Sequence, residues 1–163
     1  MDAITVGQLQ MAIQRLKNKS SPGIDGWSPK NFKYLKEGML EWLVSIFNQI
    51  EDIVEWPSEW LQAFVSMIPK GEEAATPADM RPITVAVAAY RLWASVRAAE
   101  VLDWQESWIF PTAFGFRRGR SAEDGAACVA LLAENTRLSG TPFLAVCLDY
   151  TTNFDNINWD VFF

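Results

Sequence analysis

Phe64-Val65-Ser66-Met67-Ile68-Pro69-Lys70-Gly71, followed after a polar stretch by Arg81-Pro82-Ile83-Thr84-Val85, decides the fold class of this 163-residue sequence. The apolar run at 64–68 is short, rich in strand-forming residues and stopped by Pro69-Lys70-Gly71, so it reads as a strand. Residues 72–80 are polar and contain a proline, which suits a loop. The chain returns as a partner strand at 81–85, where Pro82 confines that strand to a sheet edge or a strand start. Most of the remaining sequence has helical period, and helices mixed with a few strands predict an α+β unit.

Upstream, Thr5 and Gln8 form a capping-box pair, and Leu9, Ala12, Ile13 and Leu16 share one face of a helix over about 5–17. Ser21-Pro22-Gly23-Ile24-Asp25-Gly26 breaks it with successive turns. Ser28-Pro29 offers an N-cap with proline at the first helical position, and Leu35, Met39, Trp42, Leu43, Ile46, Phe47 and Ile50 continue as one second helix, closed by Trp56-Pro57. Downstream, residues 86–104 favour a helix by length. A loop with Pro111, Gly115 and Gly119 leads to a capping box of Ser121 with Asp124, which opens a helix to about 138. Residues 143–148, between Pro142 and Asp149, have the look of a strand buried on both faces.

Half of the residues are hydrophobic and eight are Trp, enough for a sizeable core. The 14 Lys plus Arg against 20 Asp plus Glu give a net charge of -6, which argues against simple electrostatic coating of nucleic acid. Six of the bases fall at 15–36, seven at 70–120 and one at 137, ahead of Asp149, Asp155 and Asp160. With no His, every Ser-His or Cys-His arrangement is excluded, and chemistry must run on carboxylates, Lys, Arg or metal. Cys128 and Cys147 fit neither a disulfide framework nor zinc spacing and are expected as core thiols in a reducing compartment. No run approaches the roughly 18 apolar residues of a membrane span. An intracellular protein, in cytoplasm or nucleus, is the default expectation.

Asp149 would stand at the carboxyl end of its strand with Asp155 six residues on, a setting that suits magnesium, although turn caps and surface acids have the same look. Lys70 and Arg81 could converge on one phosphate group from two ends of one hairpin, or be solvated charges at loop ends. Phe116-Arg117-Arg118-Gly119-Arg120 could grip nucleic-acid phosphates or stack on a base, or be a soluble loop. The turns at 21–26 could bring N–H groups to a phosphate backbone, or serve only as turns.

Taken in order, Ser21-Pro22-Gly23-Ile24-Asp25-Gly26, Ile68-Pro69-Lys70, Arg81-Pro82-Ile83, Phe114-Gly115-Phe116-Arg117-Arg118-Gly119-Arg120-Ser121, and Leu148-Asp149 with Phe154-Asp155 resemble successive motifs of reverse transcriptases. Arg81-Pro82-Ile83 followed by Tyr90-Arg91-Leu92 is more similar to the enzymes of non-LTR retrotransposons than to group II intron maturases.

The resemblance implies the fingers and the first part of the palm of a right-hand polymerase, with an incomplete sheet. Residues 1–140 would form a fingers region with a nucleotide-clamping hairpin around 64–85, and residues 141–163 would start the palm with the first catalytic aspartate motif. It implies RNA-directed DNA synthesis by two-metal nucleotidyl transfer, with two Mg2+ ions, an RNA template, a DNA primer and deoxynucleoside triphosphates as partners. Lys70 and Arg81 would hold the incoming triphosphate. Asp149 would be the catalytic, metal-binding aspartate, joined by the carbonyl of Tyr150, and Phe154 would lie under the sugar. Arg117, Arg118 and Arg120 would contact nucleic acid. Where the family has Lys and a small residue, this sequence has Thr152-Asn153, one positive charge fewer beside the metal. The chain is expected to be inactive without the remainder of the polymerase, which would bring the Asp-Asp turn. The alternative expectations are a non-catalytic RNA- or nucleotide-binding remnant and a maturase-like reverse transcriptase.

Overall fold

The computed structural model describes residues 2–73 and 76–149, which fall into two compact units, 2–108 and 109–149. In the first, α1 (Val6–Arg15) starts at Thr5, whose hydroxyl accepts from the Gln8 N–H while the Gln8 side chain accepts from the Thr5 N–H, the capping box read from sequence. Its buried face, Leu9, Ala12 and Ile13, meets α3 (Glu37–Ile53) and α4 (Ala88–Gln105). Phe47, Leu9, Leu92 and Val87 are the largest fully buried side chains there. Asn48 of α3 closes the start of the unit: its side chain accepts from the Ile4 N–H at 2.7 Å and donates to the Ile4 carbonyl at 3.0 Å.

The expected single helix after Ser28 is instead two. α2 (Pro29–Phe32) has proline in its first turn as expected, but Ser28 makes no side-chain capping bond, and α3 starts only at Glu37. Phe32, Leu40, Leu43 and Phe47 all reach the same core, so apolar periodicity runs straight through an interruption that lies in the backbone at 33–36. α3 also stops before Trp56-Pro57, at Val54, a β-branched residue in the left-handed region with φ 54°.

β1 (Ala63–Pro69) and β2 (Met80–Ala86) form an antiparallel hairpin in which Ile68 faces Arg81 and Met67 faces Pro82. The Lys70 N–H donates to the Asp79 carbonyl at 2.8 Å, which makes 70 with 79, and hence 68 with 81, hydrogen-bonded pairs. Residues 69 and 80, and 67 and 82, are then non-bonded pairs whose amides face outward. Pro69 and Pro82 both occupy outward positions, one on each free edge, so neither removes a ladder bond. The edge placement predicted for Pro82 holds, and the observed mixture of helices with a small antiparallel sheet is α+β.

In the second unit, α5 (Ala122–Ser139) starts with the expected capping box of Ser121 and Asp124 and ends at Gly140 with φ 68°. Two expectations fail here. Residues 141–149 pair with no strand among the described residues, and Leu144 and Leu148 are exposed. A strand buried on both faces needs ladder neighbours, and apolar character alone does not supply them. Cys128 and Cys147 are free but exposed, not core thiols: Cys128 lies on a helix with no buried residue. No described helix is long and apolar enough to cross a membrane.

Candidate functional site

The hairpin brings Lys70 and Arg81 together. Alternation along the strands puts Phe64, Ile68 and Lys70 on one face, and the register adds Arg81, Ile83 and Val85 to it. Lys70 and Arg81 are diagonal neighbours across the ladder, about 7–8 Å apart by sheet geometry. Both stand at the loop end of the hairpin, not at opposite ends, and both are exposed. The loop between them is ordered by a capping box of Thr76 and Asp79, a Thr-x-x-Asp signal present in the sequence but read there only as loop. The Lys70 ammonium donates to the Ala78 carbonyl at 2.8 Å, whereas the Arg81 guanidinium makes no hydrogen bond among the described residues. Two cations above an apolar floor of Ile68 and Ile83 can hold a polyanion with a flat apolar group attached.

Residues 23–27 form a closed turn at the base of the hairpin. The Gly26 N–H donates to the Gly23 carbonyl and the Gly23 N–H to the Trp27 carbonyl, both at 3.0 Å, and Asp25 accepts from the Trp27 N–H. A Cβ on Gly23 would lie 2.7 Å from Val87 Cα and 3.3 Å from the Ala86 carbonyl oxygen, so only glycine fits against the residues that leave β2. Arg91 of α4 donates to the Ser21 carbonyl at 2.8 Å. The sequence offered each of these residues singly; their meeting across 70 residues had no local signal. Beside this loop lies a cavity of about 190 Å³, lined by Trp27, Phe32, Trp42 and Trp60 with Asp25 of the loop itself.

The arginine segment divides by role. Arg117, half-buried, donates from Nη1 to the carbonyls of Phe110 and Ala113, each at 3.1 Å, and so closes its own loop. Arg118 and Arg120 are exposed, with Phe116 held beside them at φ 57° and 88% accessible. Phe114 packs on α5, where a Cβ on Gly125 would sit 3.2 Å from its ring. This arrangement presents one aromatic ring and two cations on a braced loop.

Asp149 is exposed in the second unit, while Tyr150, Phe154 and Asp155 lie outside the described residues. Among the described residues no three Asp, Glu, Cys or His side chains gather as a metal group, so the donors on view do not by themselves make a magnesium site.

A buried ion-pair cluster in the first unit is structural. Arg97, 5% exposed, donates to both carboxylate oxygens of Glu51, to Glu100 at 2.6 Å and to the Asp2 carbonyl at 2.9 Å. Trp93 Nε1 donates to the same Glu51 at 2.6 Å. The hydrogen bond from Arg97 holds the Glu51 carboxyl below its ordinary value against the opposing effect of burial, and Glu51 in turn raises Arg97.

No protein-family model matches the chain. Among curated proteins, it is 34% identical over 121 residues, 72% of its length, to a Drosophila melanogaster protein named "Probable RNA-directed DNA polymerase from transposon BS". It is 28% identical over 96% of its length to a 115 kDa protein ascribed to the type-1 retrotransposable element R1DM, and 29% identical over 48% to the RNA-directed DNA polymerase from mobile element jockey, both of the same organism. The chain spans only 13%, 15% and 9% of these three relatives. Agreement among separate elements, over nearly the whole chain in one of them, places it in the family of non-LTR retrotransposon RNA-directed DNA polymerases.

Proposed function

We propose that this chain supplies the fingers and the start of the palm of a right-hand RNA-directed DNA polymerase, and that its hairpin holds the incoming deoxynucleoside triphosphate. The observation that carries this reading is the placement of Lys70 and Arg81 on one exposed face at the loop end of the hairpin. In it, Lys70 leaves the neutral Ala78 carbonyl for a charged phosphate, a stronger acceptor, and Arg81 binds phosphate with its fork while its plane covers the base. Arg118, Arg120 and Phe116 grip the nucleic-acid strand by charge and stacking, with Arg117 as the brace of their loop. Asp149, with the Tyr150 carbonyl, contributes one part of a magnesium site that needs further carboxylates, and Phe154 selects deoxyribose by lying under the sugar. Bound Mg2+ would supply charge neutralisation at the phosphates and activation of the primer hydroxyl. RNA template and DNA primer are the partners, and the chain alone does not extend a primer.

A second reading, nucleotide or RNA binding without turnover, rests on the exposed cations Lys70, Arg81, Arg118 and Arg120 alone. Calorimetric titration of the chain with magnesium and deoxythymidine triphosphate tests the shared premise. Lys70→Ala and Arg81→Ala should each weaken binding about tenfold, or 1.4 kcal/mol. Equal affinity in wild type and both variants would remove the clamp. Sustained primer extension by the chain alone would remove the claim of inactivity.

A further inference from the structure

The hairpin is exposed along all of β1 and most of β2, so little along its length fixes its direction. Its base is different. β2 passes directly into Val87, fully buried, and then into α4. Gly23 touches this junction so closely that a methyl group would clash with the Val87 Cα, and the loop that carries Gly23 is tied to α4 by Arg91. Hydrogen bonds close residues 23–27 into one turn, and Pro22, whose ring fixes φ, links that turn to Ser21, the residue Arg91 holds. Arg91 therefore anchors, two residues upstream of Gly23, a hydrogen-bonded turn that abuts the point where the hairpin is rooted. The Nε of Arg91 is buried without a hydrogen-bond partner, a cost set against the bond that Nη2 makes to the Ser21 carbonyl.

From this geometry we infer that Arg91 is a positioning residue: through Gly23 it fixes the direction of the hairpin, and thereby the place of Lys70 and Arg81. The effect on nucleotide binding rests on the function proposed above; the mechanical coupling does not.

Hydrogen exchange on the full chain, followed residue by residue, separates the two. In Arg91→Gln the amides of Gly23, Gly26 and Trp27 should exchange at least tenfold faster, and those of Phe64 and Val85 at the hairpin base should accelerate with them. Amides in α1 and α3 should keep their wild-type rates. Arg91→Lys, which keeps one donor for the Ser21 carbonyl, should show the same pattern at about threefold. Affinity for magnesium-deoxythymidine triphosphate should fall about fivefold in Arg91→Gln and largely recover in Arg91→Lys, with no change in melting temperature to account for it. Acceleration of the loop amides without those of Phe64 and Val85, or of neither, overturns the coupling. If Arg91→Gln unfolds, α1 and α3 accelerate too, and Arg91→Lys decides by the same criterion. If the wild-type chain binds no nucleotide, the clamp reading falls, and the exchange pattern alone still supports or overturns the role of Arg91.

Discussion

Arg97 and Glu51, forty-six residues apart, meet through two hydrogen bonds, from Nε and Nη2 to the two carboxylate oxygens, with Trp93 donating to the same carboxylate. Because this lowers the Glu51 pKa below its ordinary 4.5, the pair stabilises the fold fully above about that pH, and the contribution is lost as pH falls through the depressed folded value. Glu51→Gln should cost about 3 kcal/mol at neutral pH, since Arg97 keeps its buried charge with one fewer carboxylate. Urea unfolding of both proteins from pH 7 to pH 3 should show the gap between them closing on acidification. A gap constant with pH would mean that the carboxylate charge contributes nothing.

Val54 ends α3 in the left-handed region, a conformation that costs a non-glycine residue about 1–2 kcal/mol. Its side chain is 87% exposed, so little packing is lost on its removal. Val54→Gly should raise the unfolding free energy by about 1 kcal/mol, visible as a higher urea midpoint at unchanged slope.

The arginine loop predicts a division of labour that RNA binding can read. Arg118→Ala and Arg120→Ala should each lower affinity and reduce the slope of log K against log salt by about one. Arg117→Ala should instead loosen the loop, with faster proteolysis between Phe110 and Phe116, because it removes the hydrogen bonds to the Phe110 and Ala113 carbonyls. Equal salt slopes for wild type and the Arg118 and Arg120 variants would show that neither contacts phosphate.

Pro69 and Pro82 each remove a donor from an outward-facing edge position of an exposed, largely apolar hairpin. Replacing both with Val should create edges that pair with other copies, with self-association visible by light scattering at micromolar concentration. A double variant as monodisperse as wild type would show that the prolines do not guard the edges.

Local signals were the legible ones. Both helix-opening capping boxes, at Thr5 with Gln8 and at Ser121 with Asp124, were readable because each closes within three residues. The hairpin was readable because its strands are short and bounded by Pro, Gly and polar residues. The break between α2 and α3 was not, since side-chain period survives a backbone interruption that keeps the same face inward. Residues 143–148 have the apolar character of a buried strand but no ladder partner among the described residues, because apolar character does not encode pairing. Within the site, Lys70 and Arg81 could be named from sequence, but not their shared end and face, which depend on register. Arg117 shares its residue type with Arg118 and Arg120, while its carbonyl partners are set by how the loop folds.

Each strand of the hairpin has seven residues, so it reaches about 23 Å from its root at about 3.3 Å per residue. It is therefore a lever: a tilt of about 5° at Val87 sweeps the tip through about 2 Å, several times the roughly 0.5 Å spread of a good hydrogen-bond length. Substitutions near the fulcrum, far from any charge on the tip, would be magnified by the arm, and a change of a single methyl group at position 23 would be felt most at positions 70 and 81.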